Sequence, residues 1–173
     1  MRRLQAGLVL LLALAMVGCD RDGSGERVAV RVPGRAPASS PPSCTAEGTS
    51  ALVEGFFAAL SAGRVRDLDG FFAPASRFGW YANSVRPGVR LGDAAHDRGT
   101  LLDYLRRRQA RHERVEVKLV DFNGYRATDR TAHFGMTLLR TADDLAVSPQ
   151  PLAGKGAVDC DSQRLMVLAI GQR

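Results

Sequence analysis

The chain has 173 residues, enough for one domain of ordinary size with additional segments. Hydrophobic residues make up 45% of the sequence, which excludes a chain that is disordered throughout. Its 18 glycines follow no repeat period, which excludes collagen and solenoid architectures. The formal net charge of +6 is mild and much of it is spread along the chain, so it does not predict a nucleic-acid partner.

Residues 1–18 have the features of a signal peptide. Arg2 and Arg3 form a positive N-terminal region, and residues 8–17 form an apolar run too short to cross a bilayer as a mature helix. The run ends at Gly18 and Cys19, which resembles the lipobox of bacterial lipoproteins. This resemblance implies that the peptide is removed, that Cys19 carries diacylglycerol and palmitate-type acyl chains, and that the protein lies at the extracytoplasmic face of the membrane. The alternative is an ordinary or uncleaved signal peptide with a chance cysteine.

Residues 19–43 are predicted to be a tether. Half of the eight prolines lie in this segment, together with several glycines and serines, and no sustained apolar periodicity is present. Such a segment cannot bury a core, and at a polyproline rise it reaches roughly 75 Å. We therefore expect a lipid-anchored tether that lifts a domain of residues 44–173 off the membrane.

Cys44 and Cys160 remain if Cys19 is lipidated. Two thiols outside the cytoplasm usually oxidise to a disulfide, so a bridge between them is predicted. A redox-active or metal-binding pair is disfavoured, because neither CxxC spacing nor neighbouring histidines accompany these cysteines. No metal site and no cofactor are predicted.

Three helical segments are predicted from apolar residues that recur at the spacing of one helix face. Gly63 follows the first segment as a natural helix stop, and Pro74 breaks the chain after the second. Thr100 and Asp103 fit a capping box at the start of the third. The predicted helices are residues 49–62, 65–72 and 100–110.

Strands are predicted mainly in the C-terminal half, where apolar and polar residues alternate. The last strand is apolar on both faces, so we expect it inside the sheet. Residues 83–99 are predicted to form a loop. The predicted strands are residues 77–81, 115–120, 131–139, 156–159 and 165–170, with a turn at Asn123 and Gly124, a proline-rich loop at 141–153 and a turn at 161–163.

This order of helices and strands over residues 48–171 resembles the nuclear transport factor 2-like superfamily, also called SnoaL-like or cystatin-like. The resemblance implies an α+β, cone-shaped fold in which helices pack on a curved, mainly antiparallel sheet. It also implies an apolar pocket inside the cone. Enzymes of the superfamily, such as ketosteroid isomerases and polyketide cyclases, place an Asp or His acid/base and a Tyr donor in that pocket.

The residues expected to line the cone are the apolar members of each element's own period. They are Phe56, Leu60, Phe72, Trp80, Tyr81, Leu105, Val117, Phe134 and Met136. The strand at 115–120 is expected to turn Val115, Val117 and Leu119 inward, and the next strand to turn His133 outward. No catalytic residue is predicted. The weak alternatives are Asp121, if the alternation continues past Val120, and His112 at the end of the third helix.

Five guanidinium groups lie close together around the end of the third predicted helix. They belong to Arg106, Arg107, Arg108, Arg111 and Arg114. One interpretation is a solvated helix end whose charge suits the C-terminal dipole. The other is a basic patch for an anionic partner, such as lipid head groups, a cell-wall polymer or an acidic protein.

Three functions stay open. The first is a non-catalytic lipoprotein domain that binds a small apolar molecule, an envelope lipid or a partner protein. The second is a SnoaL-like pocket enzyme, an isomerase or a hydrolase, and the third is a structural or dimerising interaction domain. An inward Asp or His near Tyr81 or Tyr104 would indicate the enzyme, and an open apolar cavity the carrier. A filled cone with an accessible sheet face would indicate the interaction domain.

Overall fold

The computed structural model describes residues 44–84 and 93–172. The predicted signal peptide, Cys19 and the tether lie outside the described residues. Within these ranges no helix is both long enough and apolar enough to cross a membrane. The helices are α1 (Ala46–Ser61), α2 (Val65–Leu68), which continues into a 3-10 turn at Asp69–Phe71, and α3 (Arg98–Gln109). The strands are β1 (Trp80–Ser84), β2 (Asp93–Ala95), β3 (Arg114–Arg126), β4 (Thr131–Thr141), β5 (Gln150–Asp159) and β6 (Arg164–Gln172).

The described strands form one mixed sheet in the order β2-β1-β6-β5-β4-β3. Strands β3 to β6 are an antiparallel meander, while β1 runs parallel to β6 and antiparallel to β2. The α+β class and the mainly antiparallel sheet are as predicted, and β6 lies inside the sheet as its apolar composition indicated. The short strand β2 falls in the segment that was predicted to be a loop.

Cross-strand neighbours divide the sheet into two faces, because residues that pair directly point to the same side. Along the inner face, Phe134 lies between Phe122 and Gly156, and the row continues to Leu168 and Tyr81. Along the outer face, the row through His133 continues to Ala157, Val167 and Trp80. Burial agrees with this assignment, since Ala132, Phe134, Met136 and Leu138 are buried and the residues between them are partly exposed.

Strand β3 departs from simple alternation. Its pairing with β4 shifts between Val117 and Leu119, so Lys118 is an extra residue at a β-bulge. The bulge exchanges the faces of the residues that follow, and the prediction that Leu119 points inward was wrong, since 59% of it is exposed. For the same reason Val120 pairs with the buried Met136, whereas Asp121 pairs with Gly135 on the outer face and is exposed.

Two other local predictions are also corrected. Asn123 and Gly124 do not turn the chain, because Gly124 adopts a φ of 110° at a second register shift and β3 continues to Arg126. The N-cap of α3 is Asp97 rather than Thr100, since the Asp97 carboxylate accepts a hydrogen bond of 2.9 Å from the Thr100 backbone nitrogen. Hydrogen bonds from Thr100 lower the pKa of Asp97.

The helix α1 covers the inner face of the sheet. Thr45 caps its N-terminus, and its buried side carries Val53, Phe56 and Phe57. The Phe56 ring makes edge-to-face contacts with neighbouring aromatic rings, including that of Phe72 at 5.3 Å between centroids. At its far end the Ser61 hydroxyl accepts a 2.9 Å hydrogen bond from the Val115 nitrogen, which ties α1 to the start of β3.

The predicted disulfide between Cys44 and Cys160 is confirmed. The two Cα atoms are 5.8 Å apart, and the residues are separated by 116 positions in the chain. Both half-cystines are buried. The bridge therefore joins the N-terminal end of α1 to the turn between β5 and β6. The Cys160 nitrogen also donates to the carbonyl of Arg130, which links this turn to the one between β3 and β4.

Candidate functional site

Side chains fill the space above the inner face of the sheet. An added Cβ at Gly156 would lie 2.4 Å from Cζ of Phe134, and one at Gly154 would lie 2.3 Å from Cε of Met136. The two glycines therefore make room for the large side chains of the neighbouring strand. This part of the cone is a packed core rather than an open cavity.

Most of the residues expected to line the cone converge in one buried core. They are Phe56, Leu60, Phe72, Tyr81, Leu105, Phe134 and Met136, with Val117 partly buried against them. Trp80 departs from the expectation. It precedes the buried Tyr81 in β1 and pairs with Val167, so strand alternation places it on the outer face, partly exposed.

A cluster of charged side chains lies at one end of this interior. Glu113 accepts hydrogen bonds from Arg108 and, at 2.7 Å, from Arg140. The Arg108 guanidinium also donates two parallel hydrogen bonds to the Asp144 carboxylate, of 2.7 Å and 2.9 Å, in a bidentate pair. Hydrogen bonding to Arg108 lowers the pKa of Asp144 to about 2. We call these four residues the interior ion cluster; its two positive and two negative charges balance, and Glu113 and Arg140 are buried.

Two tyrosines lie beside the ion cluster. The Tyr104 hydroxyl accepts a 2.7 Å hydrogen bond from the Asn83 amide, and its ring lies 5.5 Å from that of Tyr81. Burial, with a further contribution from Glu113, raises the pKa of Tyr104 to about 12. Burial and the neighbouring Tyr104 raise the pKa of Tyr81 as well. Both hydroxyls therefore stay protonated near neutral pH and cannot act as general bases.

Several buried polar atoms in this region have no hydrogen-bond partner among the described residues. They are Nε and Nη1 of Arg140, Oδ1 of Asn83 and Oε1 of Gln150. The opening beside Tyr81 and Tyr104 has a volume of about 20 Å³, which is room for about one water molecule. The described residues thus offer hydrogen-bonding capacity in the interior but no space for a substrate-sized molecule at this opening.

The weak catalytic alternatives from the sequence do not meet in this interior. His112 is exposed and its Nδ1 lies 2.6 Å from a carboxylate oxygen of Asp143. Asp121 is exposed on the outer face. Among the described residues neither Tyr81 nor Tyr104 has an Asp or His hydrogen-bond partner.

Sequence reasoning missed Glu113 and Arg140. A signal for Arg140 was present, because it continues the buried alternation of β4 beyond Leu138 and is therefore a charged residue at a core position. Glu113 lies between α3 and β3, where no periodicity applies. The same cluster divides the predicted basic patch, because Arg108 is turned into the protein while Arg106, Arg107, Arg111 and Arg114 are exposed.

The outer face of the sheet is partly accessible, apart from the buried Ala157, and it is rich in small side chains. A depression of about 310 Å³ is lined by Ala153, Lys155, Ala169 and Gly171 among others. A second, of about 280 Å³, shares Lys155 and extends to His133 and Val167. We define the outer sheet face by Leu119, Asp121, His133, Gly135, Thr137, Ala153, Lys155, Ala157, Val167 and Ala169.

Solved structures identify this architecture. A protein of the nuclear transport factor 2-like family from Streptomyces avermitilis superposes with a TM-score of 0.57 at 15% identity, over 74% of this chain and 95% of the other. ActVI-ORFA from Streptomyces coelicolor superposes at 0.54 and 13% identity, over 72% and 94% of the two chains. The β subunit of benzoate 1,2-dioxygenase from Burkholderia mallei superposes at 0.56 and 11% identity, over 75% and 91%.

The domain has the nuclear transport factor 2-like fold. No family model and no curated protein matches the sequence. At these identities the likeness shows the fold alone, and function has to be argued from the residues of this chain. Within the described ranges no group of three or more His, Cys, Asp or Glu side chains is arranged to hold a metal ion.

Proposed function

We propose that the protein is an extracytoplasmic lipoprotein, anchored through Cys19, whose nuclear transport factor 2-like domain is a non-catalytic interaction module. Its partner is a second copy of the same chain, bound through the outer sheet face. The lipobox-like end of the signal peptide supports the anchor. A structural disulfide, which is typical of exported proteins, supports the compartment.

The packed interior carries the non-catalytic part of the proposal. Phe134 and Met136 fill the space over the sheet, and the ion cluster at the end of the core is balanced in charge. A general acid or base needs a pKa near the working pH and access to a substrate. Burial raises the pKa values of Tyr81 and Tyr104, so they lie further from neutral pH than that of an ordinary tyrosine.

The arrangement of charge supports a second copy as the partner. Asp121, Gly135 and Lys155 form one row across three adjacent strands of the outer face. Strands lie about 4.8 Å apart, so Gly135 is about midway between the two charges. A two-fold axis that passes above Gly135 and parallel to the strands would place Asp121 of each copy against Lys155 of the other. Neither side chain forms an ion pair with a described residue of its own chain.

The pocket-enzyme alternative has less support from the described residues. Proteins with this fold include a dioxygenase subunit and a protein named as a polyketide cyclase, so the fold is compatible with catalysis and with assembly. Asp121 and His112 are both exposed and lie outside the interior, and the opening at the tyrosines admits about one water molecule.

Replacing Cys19 by serine should move the protein from the membrane fraction to the soluble fraction of the producing bacterium, because serine cannot accept the thioether-linked lipid. Fractionation followed by immunoblotting measures this. Ser24→Ala, a change of similar size in the same segment, should leave the protein with the membrane. A membrane-bound Cys19→Ser protein would contradict the anchor.

Placing a long charged side chain at Gly135 should convert the dimer to a monomer. The position tolerates a side chain within the chain, because the nearest atoms to an added Cβ lie 3.9 Å away. We expect the Cys19→Ser chain to be dimeric in light scattering, and the additional Gly135→Arg change to halve its mass. Gly70→Arg is the matched control, since an added Cβ at Gly70 meets nothing within 4 Å and the residue lies in the 3-10 turn after α2 rather than in a strand.

A charge exchange tests the proposed symmetry of the same dimer. Asp121→Lys alone should weaken association, because it opposes two positive charges across the axis. Asp121→Lys combined with Lys155→Asp should restore it. A wild-type chain that remains monomeric at every concentration, or a Gly135→Arg chain that remains dimeric, would rule out this interface.

A further inference from the structure

An open groove runs between the α1–α2 connection and the C-terminal half of α3. It is lined by residues 63–67 together with Arg106 and Gln109, and its volume is about 490 Å³. We call it the arginine groove, because Arg64, Arg66 and Arg106 supply its charged walls. The sequence indicated Arg106 as part of a basic patch, but the contribution of Arg64 and Arg66 follows only from the fold.

The shape of the groove depends on a close contact between its two walls. The Gln109 amide donates a 2.9 Å hydrogen bond to the Gly63 carbonyl. Gly63 has a φ of 74°, and an added Cβ there would lie 2.2 Å from Nε2 of Gln109. Position 63 therefore accepts only glycine. The contact between Gly63 and Gln109 holds the two walls of the groove, and the arginines on them, at a defined separation.

The guanidinium groups of the groove are not needed to cap the C-terminal end of α1. The last carbonyls of α1 accept hydrogen bonds from the backbone nitrogens of Ala62, Gly63 and Arg64. Arg64 and Arg106 instead contact Asp67 and Asp103 in solvent-exposed pairs, and exposed pairs of this kind are weak. No described carboxylate pairs with Arg66. The positive charge in the groove is consequently available to an external anion.

The groove lies away from the point where the preceding segment joins the domain. The segment that precedes the domain joins it at Cys44, at the N-terminal end of α1, whereas the groove lies at the C-terminal end of this helix. A helix of 16 residues spans about 24 Å. The groove is thus at the opposite end of α1 from Cys44.

We infer that the arginine groove binds an anionic polymer of the cell envelope that carries phosphodiester groups along its backbone. Guanidinium groups match phosphate oxygens with paired hydrogen bonds, and an open groove accommodates a segment of a chain without enclosing its ends. The groove and the outer sheet face share no residue, so binding in the groove is independent of the proposed self-association. Only the assignment of the polymer to the cell envelope rests on the proposed extracytoplasmic location.

Binding of a soluble poly(glycerol phosphate) to the full chain carrying Cys19→Ser tests the inference. We expect saturable binding in titration calorimetry that weakens as salt is raised. The triple change Arg64→Gln, Arg66→Gln and Arg106→Gln should lower the affinity at least about tenfold, because it removes the charge-assisted contacts. The matched control is Arg126→Gln, Arg130→Gln and Arg164→Gln, which removes the same charge near the opposite end of the domain and should change the affinity less than about twofold.

Three outcomes would overturn the inference. Equal losses in the two triple variants would show that binding follows net charge alone. Stronger binding of poly-glutamate would indicate an acidic polypeptide, and stronger binding of phosphatidylglycerol vesicles would indicate docking on the membrane. Circular dichroism of both triple variants establishes that they are folded. Because the chain in this test carries Cys19→Ser, failure of the groove and failure of the lipid anchor remain distinguishable.

Discussion

Replacing both Cys44 and Cys160 by serine should lower the free energy of unfolding by about 4 to 5 kcal/mol. The bridge connects residues 116 positions apart and so restricts almost the entire unfolded domain. In the chain-entropy model the stabilisation grows with the logarithm of the loop length, and loops of this size lie near its upper end. Urea denaturation followed by circular dichroism, on chains that carry Cys19→Ser, measures the difference.

Reduction provides the matched control for this double substitution. After the wild-type chain has been unfolded and reduced in dithiothreitol, its midpoint of urea denaturation should equal that of the double-serine variant. The reductant should not change the midpoint of the variant. Because both half-cystines are buried, reduction of the native protein should require opening of the structure. A difference in stability below about 1 kcal/mol would contradict the entropic account and point to residual structure in the unfolded state.

Substituting Glu113 by glutamine should destabilise the domain by about 3 to 5 kcal/mol. Glu113 is the carboxylate that Arg140 contacts, and Arg140 has only 3% of its side chain exposed. With a neutral side chain at position 113, the guanidinium of Arg140 is left buried without a compensating charge. Desolvation of an unpaired charge costs more than the original ion pair contributed.

An exposed pair in the adjacent strand supplies the control for Glu113. Glu116 contacts Lys118, and both side chains are largely accessible to solvent. Glu116→Gln should therefore change the free energy of unfolding by less than about 0.5 kcal/mol. Combining Glu113→Gln with Arg140→Met should recover part of the lost stability, because the uncompensated charge is removed with its partner. Additive losses in the double variant would contradict this explanation.

The sequence by itself determined the features that depend on local periodicity, and it predicted the disulfide. Apolar spacing defined α1 to within a few residues of its observed start, and strict alternation identified the buried side of β4. The signal-peptide pattern implied export, and export together with the count of cysteines predicted the bridge between Cys44 and Cys160.

Only the tertiary structure decided which side chains meet. The bulge at Lys118 comes from the register of β3 against β4, and it reverses the faces of Leu119 and Asp121 in a way that periodicity within β3 cannot reveal. Glu113 and Arg140 form an ion pair across 27 positions of the chain, and their pairing depends on how the end of α3 lies against β4. Periodicity reports how one segment meets an apolar surface, whereas register and ion pairing depend on two segments at once. The two candidate surfaces of this protein are the outer sheet face and the arginine groove. Each is formed by several segments together, so periodicity within one segment does not reveal it.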